Sequence, residues 1–345
     1  MSFADQRIAV VGATGAVGIE LLALLARAGV PVANVRACAS ARSAGRELVY
    51  GEGVLVVEPL SDASLDSVDL AFLTTPAAEA RRWAQRFVSS GAVVVDNSSA
   101  FRMDSAVDLI VPEVNGELAI RRTEPRIIAN PNCSTILLLV ATTPLQRRFG
   151  CKKLIVSTYQ AVSGAGLAAV EELESQTRDV LAGNRPVPEA FPEPCAFNVF
   201  SHDSPVDPST GANVEETKME EETRKIWGTS VELVATCVRV PVARVHCESV
   251  HMTLETPASE AAVREALAGA PGVSIVDERA TGKFPTALAA AKRHTVLVGR
   301  IRPDPGTAAG DGRFGAFSLF LAGDQLLKGA ALNAFQIAEL ALRTD

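Results

Sequence analysis

At 345 residues the chain exceeds what one small core needs, and the usual domain size predicts about two domains. Apolar residues make up 48% and charged ones 21%, without low-complexity tracts or internal repeats, which excludes a disordered or solenoid protein. The net charge of −7 repels polyanions, so nucleic acid is not an expected partner and any anionic ligand must be held by a few specific cations.

The start, MSFADQRIAVVG, has neither the basic segment nor the apolar core of a signal peptide. Arg7 to Val11 reads as a buried strand, followed by the turn Gly12-Ala13-Thr14-Gly15-Ala16-Val17-Gly18 and an apolar-periodic helix from Val17 to Ala28 that Gly29 ends. Further strands are predicted at Val35 to Ala39, Val54 to Val57, Leu70 to Thr74 and Ala92 to Asp96, with a helix at Ala77 to Ser90. Strands alternating with helices predict an α/β fold with a parallel, doubly wound sheet of the Rossmann type. The run from Ile136 to Ala141 is too short to span a membrane, which takes roughly 18 to 20 apolar residues. No membrane partner is therefore expected, and the protein is expected to be cytoplasmic.

Beyond Cys133 the alternation fades. Long β-rich runs at Lys153 to Gln160, Val231 to Val240, Ser249 to Glu255, Thr295 to Ile301 and Phe314 to Ala322 predict a second α+β domain on a largely antiparallel sheet. Pro186 to Pro208 carries six prolines and reads as a long surface excursion. Lys328 to Leu342 reads as an amphipathic helix returning to the first domain. The expected division is residues 1–130 completed by 326–345, with 131–325 as the catalytic and dimerisation domain. The six cysteines show no CxxC pair and no secreted-type spacing, so reduced thiols and no metal site are expected.

Three runs carry chemistry. The glycine turn between a strand and a helix lets backbone approach a pyrophosphate, whose charge meets the amides of the helix start; close helix packing alone would also explain it. Where NAD enzymes usually carry an acidic residue at the end of the second strand, this chain has Ser40-Ala41-Arg42-Ser43, which suits a 2′-phosphate and favours NADP(H). Cys133, in Asn130-Pro131-Asn132-Cys133-Ser134-Thr135, falls at a helix start where thiolate is favoured, and a thiolate working with a nicotinamide can pass an acyl group through a thioester. A buried structural cysteine is the other reading. The third run, Arg239-Val240-Pro241-Val242-Ala243-Arg244-Val245-His246, offers a candidate acid/base in His246. Arg239 suits a substrate carboxylate, or else is a solvated surface charge. His202, His251 and His294 default to ordinary hydrogen-bonded residues.

Together these runs resemble the aspartate-semialdehyde dehydrogenase family along nearly the whole chain. The segments are GATGAVG at 12–18, SARSAG at 40–45, DNSSAFR at 96–102, VPEVN at 111–115, IIANPNCST at 127–135, STYQAVSGAG at 157–166, EETKM at 215–219, RVPVARVH at 239–246, VGRIR at 298–302 and LLKGAALNAFQIAE at 326–339. The resemblance implies that Cys133 is the nucleophile, His246 the acid/base, Gln160 a group positioning the reacting carbonyl, and Asn132 an orienter of thiolate and substrate. It further implies that Arg239 binds the substrate α-carboxylate, Glu216 its α-ammonium, and Arg102 and Lys218 the phosphate. The implied cofactor contacts are Gly12, Thr14, Gly15, Ala16, Val17, Gly18, Ser40, Arg42, Ser43, Ser163, Gly164 and Gln325.

The implied reaction is NADPH-dependent reductive dephosphorylation of L-aspartyl 4-phosphate to L-aspartate 4-semialdehyde and phosphate, in the biosynthesis of lysine (by way of diaminopimelate), methionine, threonine and isoleucine. A homodimer or dimer of dimers is implied too. An N-acetyl-glutamyl-phosphate reductase would not need Glu216, another acyl reductase would not need Arg102 and Lys218, and a non-catalytic paralogue would be free to lose Cys133, Gln160, Arg239 or His246. Two departures, Cys247 and the loop Ser201-His202-Asp203-Ser204, are expected to touch none of these roles.

Overall fold

The computed structural model describes residues 3–121 and 124–342. Its first unit runs to Asn132 and resumes at Ala330; the second runs from Cys133 to Gly329. In chain order the first unit opens with β1 (Ile8–Val11), α1 (Ala16–Arg27), β2 (Val35–Ala39), the hairpin β3 (Glu47–Tyr50) and β4 (Gly53–Val56), and β5 (Glu58–Pro59). It continues with β6 (Leu70–Leu73), α2 (Ala77–Ser89), β7 (Val93–Asp96), β8 (Asp108–Leu109), α3 (Pro112–Asn115), α4 (Glu117–Ile120) and β9 (Ile127–Ala129).

Among the described residues the strands form a seven-stranded sheet in the order β5-β2-β1-β6-β7-β9-β8, every pair of it parallel. β1 and β6 are buried along their whole length as apolar runs, the pattern of a strand covered on both faces. Helix α2 buries Ala80, Trp83, Ala84 and Phe87, spaced as one face of a helix, against Ala9, Val11 and Leu73 of the sheet. The expected strand at Val54 to Val57 is not part of this sheet: Gly53–Val56 pairs only with Glu47–Tyr50, antiparallel. Val54 and Val56 are exposed, so their alternation marks a two-stranded ribbon rather than a core strand.

Because β2 lies on one side of β1 and β6 on the other, the chain direction of the connections reverses there. The carboxyl end of β1 is therefore the switch point at which doubly wound sheets bind ligands.

The second unit comprises α5 (Cys133–Phe149), β10 (Cys151–Gln160), α6 (Leu167–Leu181), β11 (Phe200–Ser201), α7 (Val214–Trp227), β12 (Glu232–Arg239), β13 (His246–Ala258), α8 (Glu260–Leu267), β14 (Val273–Ile275), α9 (Ala287–Ala290), β15 (Val296–Pro303) and β16 (Phe314–Gly323). Its seven strands run in the order β11-β12-β10-β13-β16-β15-β14; only β10/β12 and β14/β15 are parallel. The mostly antiparallel sheet is thus as expected. Helix α5 packs on β13, β16, β15 and β10 and against α7 and α8, which explains its almost unbroken burial from Ser134 to Leu145. The opposite face of the sheet leaves Ile155, Tyr159 and Val234 exposed.

Two segments differ from expectation. The proline-rich stretch is not all surface: Phe191, Cys195 and Ala196 are buried against Val162, Ala169 and Leu173. In the first unit α10 (Leu332–Ala341) follows a π-turn at Leu327–Ala331 and is buried nearly all round rather than amphipathic, packing on α1, α3, α4 and β7. The expected ends of the C-terminal segment at 343–345 lie outside the described residues. None of the helices described is long and apolar enough to cross a membrane.

Candidate active site

In the first unit, the chain leaves β1 through Gly12, whose φ of +90° is open to glycine at little cost. A Cβ there would come within 2.5 Å of Thr74 Oγ1, and one at Gly18 within 2.4 Å of the Gly12 carbonyl oxygen. Gly12 and Gly18 thus let the turn, β6 and α1 approach at backbone distance. Gly15 is the N-cap of α1 and brings no side chain to the helix start, the end of a helix that meets a phosphate. Ala13 is buried, whereas Thr14, Ala16 and Val17 line the partly exposed start of the helix.

At the end of β2, Ser40 and Arg42 are exposed and Ser43 half-buried in a short 3-10 turn, with no carboxylate in Ser40 to Ser43. These features fit a dinucleotide carrying an extra phosphate on its ribose. Arg102 is buried in the same unit and donates to the Asn130 carbonyl from Nε and the Asn97 carbonyl from Nη2, each at 2.9 Å. Asn130 is held in turn by Asn97 and by Asn333 of α10. Asn132 is buried at the unit's edge in sequence, just before Cys133.

In the second unit, Cys133 begins α5 and is partly exposed, while its neighbour Ser134 is fully buried. Gln160 ends β10 and is 1% exposed. Its Nε2 donates to Ser134 Oγ at 3.1 Å and to Glu215 Oε1 at 3.3 Å, so one amide joins the helix start that bears Cys133 to an acidic group on α7. Lys218 Nζ donates to the other oxygen of Glu215 at 3.3 Å. Parallel pairing of β10 and β12 places Arg239 opposite Gln160.

Glu216, the expected partner of an ammonium, makes its hydrogen bonds outside this group. Its Oε2 accepts from the Asn213 backbone N–H at 2.9 Å and its Oε1 from the Cys237 N–H at 2.9 Å, while Asn213 Oδ1 accepts from the Glu216 N–H. The Asn213 and Glu216 pair forms a reciprocal capping box, and the other Glu216 oxygen ties the helix start to the Cys237 N–H of β12. The signal was present in the sequence as Asn213-x-x-Glu216 ahead of a helix. One residue earlier, Glu215 shares a helix face with Lys218 and is the carboxylate that reaches Gln160.

Arg239 is nearly sealed. Nε and Nη2 both donate to Asp203 Oδ1, at 3.2 and 2.6 Å, Nη1 donates to the Ala161 carbonyl at 3.2 Å, and Nη2 lies 2.9 Å from His202 Nε2. The guanidinium also stacks over Phe191 from the proline-rich stretch. The loop Ser201 to Ser204 therefore does touch a site residue, contrary to expectation, because antiparallel pairing of β11 with β12 brings it to Arg239. Burial pushes the Asp203 carboxyl up, but the hydrogen bond and charge of Arg239 outweigh this and hold it low. His202 is lowered, chiefly by burial.

His246 opens β13 and is fully buried. The Ala161 N–H donates to its Nδ1 at 3.0 Å, so the neutral ring carries its proton on Nε2. Nε2 has no hydrogen-bond partner among the described residues, and a Cβ on Gly164 would stand 3.2 Å from it and from Arg239 Nη1. Burial above all, with the charge of Arg239 beside it, lowers the ring to about 3. The residue before it, Val245, has φ +85°, a costly conformation for a β-branched side chain. That peptide is held by Gln325, whose Oε1 accepts from the Val245 N–H at 2.7 Å while its Nε2 donates to Ser163 Oγ. Ser163 and Gln325 are both buried and bonded to each other, and no sequence pattern announced that brace.

A family model for the semialdehyde dehydrogenase NAD-binding domain matches residues 7–121, and one for the semialdehyde dehydrogenase dimerisation domain matches 143–328. The aspartate-semialdehyde dehydrogenase of Synechocystis sp. is 45% identical over 335 residues, covering 97% of this chain and 96% of that one. The chain belongs to the aspartate-semialdehyde dehydrogenase family. The family member from Aquifex aeolicus is 42% identical over 98% of both chains. Among solved structures, Vibrio cholerae aspartate semialdehyde dehydrogenase II complexed with ASA superposes with a TM-score of 0.91 at 36% identity, covering 98% of each chain. Membership makes the chain an oxidoreductase-family protein with a nicotinamide-dinucleotide-binding domain and a dimerisation domain.

Proposed function

We propose that the protein reduces L-aspartyl 4-phosphate to L-aspartate 4-semialdehyde with NADPH and releases phosphate. The observation that carries this reading is the Gln160 amide, which ties the start of α5, and with it Cys133, to Glu215 in the row that also holds Arg239. The Cys133 thiolate attacks the acyl carbon, the C–O bond to phosphate breaks, and a thioester remains. Gly12 to Gly18 with Ser40, Arg42 and Ser43 would hold NADP(H), which when bound supplies the hydride for the thioester carbon. Returning the electron pair to sulfur then frees the aldehyde and regenerates the thiolate. Through its Nε2 proton His246 meets the oxygen on which negative charge develops, and the buried ring is neutral well before the pH range of such chemistry. Arg239 receives the α-carboxylate, Glu215 the α-ammonium, and Arg102 and Lys218 are the cations for the phosphoryl group.

The second unit is the proposed seat of a homodimer, the place of action the cytoplasm, and the role a step in making lysine, methionine, threonine and isoleucine. An N-acetylated substrate is disfavoured because Glu215 offers a charge that only a free ammonium rewards. The test is phosphate-dependent formation of NADPH from NADP and aspartate 4-semialdehyde, followed by absorbance, with Cys133→Ser as control. The wild type should turn over and the serine variant should bind NADPH without turnover. An inactive, correctly folded wild type would sink the proposal.

A further inference from the structure

Strand β13 buries His246, Glu248, Val250, Met252 and Leu254, while Ser249, His251 and Thr253 between them are partly exposed, so the first set shares the helix-covered face. The strand register arranges that face in rows. Cys237 lies opposite Thr158, Thr158 opposite Glu248, and Glu248 opposite Leu321. One step above is the pair Arg239 and Gln160, with His246 two residues before Glu248 on the same face of β13; one step below, Ala235, Val156, Val250 and Leu319 are apolar. Glu248 therefore sits between the proposed catalytic row and the core, at 0% exposure, and neither of its carboxyl oxygens has a hydrogen-bond partner among the described residues.

Charge in the row above is already balanced, Arg239 by Asp203 and Glu215 by Lys218. A carboxylate beneath it would stand uncompensated in a low-dielectric interior, and would oppose both a thiolate and an anionic substrate. Among the described residues, the strand neighbours of Glu248 offer no cation. Thr158 on β10 is neutral, Leu321 on β16 is apolar, and the Cys237 and Cys247 thiols are both raised by burial, Cys247 to about 12. Burial alone acts on the Glu248 carboxyl and holds it well above the usual range.

We propose that Glu248 is a positioning residue of this active site: an un-ionised carboxylic acid packed under Gln160 and His246 that supports the catalytic row without placing charge beneath it. The catalytic part of this inference rests on the function proposed above; the ionisation part does not. Glu248→Gln keeps shape and neutrality, so its kcat should stay within about threefold of wild type, with an unchanged pH profile. Glu248→Ala removes the support, and kcat should fall about tenfold or more while KM for NADP stays level, as expected when reacting groups are misplaced rather than cofactor binding lost. If the alanine variant does not fold, Glu248→Val leaves a smaller cavity and should show the same loss in part.

A glutamine variant as impaired as alanine, or full kcat in the alanine or valine variant, overturns the positioning role. Ionisation is read separately by thermal unfolding. The unfolded carboxyl ionises above about pH 4.3 whereas the folded one does not, so Glu248 contributes a loss of stability with rising pH that Glu248→Gln lacks. The gap in Tm in favour of the glutamine variant should widen from about pH 5 to about pH 9. A constant gap overturns the un-ionised state even if no aspartate-semialdehyde activity is found.

Discussion

Glu215 and Glu216 are adjacent and chemically identical, and only their hydrogen bonds tell them apart. Glu215→Gln removes the charge beside Gln160 and should lower kcat/KM for the semialdehyde by about a hundredfold, with little change in Tm. Glu216→Gln should leave KM near its wild-type value and cost about 1 kcal/mol of stability, measured by urea unfolding, because it weakens a helix cap. Equal kinetic damage in both would contradict the assignment. At Arg42, exposed in the turn after β2, replacement by Ala should weaken NADP binding by about tenfold while leaving NAD nearly unchanged, which fluorescence titration with each dinucleotide would check. Equal weakening would remove the 2′-phosphate reading.

Among the elements, the unit of β1, glycine turn and α1 was readable because each of its parts has a local cause. β1 is apolar throughout, the glycines permit backbone contact, and Leu21, Leu22 and Leu25 give α1 its buried face. Gly18→Ala would force a Cβ to 2.4 Å from the Gly12 carbonyl, a backbone atom that cannot step aside. We expect a loss of several kcal/mol on unfolding, roughly the size of a severe core clash, with dinucleotide binding lost in any protein that still folds. Retained stability would mean that the turn is looser than described. The ribbon β3–β4 and the buried α10 differ from the local pattern for a shared reason: alternation and amphipathicity report burial by neighbours that a local window does not contain.

At the scale of the molecule, the exposed sheet face bearing Ile155, Tyr159 and Val234 belongs to the unit matched by the dimerisation-domain family. Ile155→Asp should shift the protein toward monomer in analytical ultracentrifugation, since a buried, unpaired charge opposes association by several kcal/mol; an unchanged dimer would place the interface elsewhere. By itself the sequence determined the fold class of both units, because apolar periodicity and glycine spacing are local consequences of backbone geometry. It also singled out Cys133, Gln160, Arg239 and His246. Only the tertiary structure decided which neighbouring carboxylate faces Gln160, that the loop at Asp203 closes on Arg239, and that Gln325 braces the peptide before His246. Those facts join residues 36 to 80 positions apart, or turn on a helix's rotation by one residue, and strand register and packing, not chain spacing, set them.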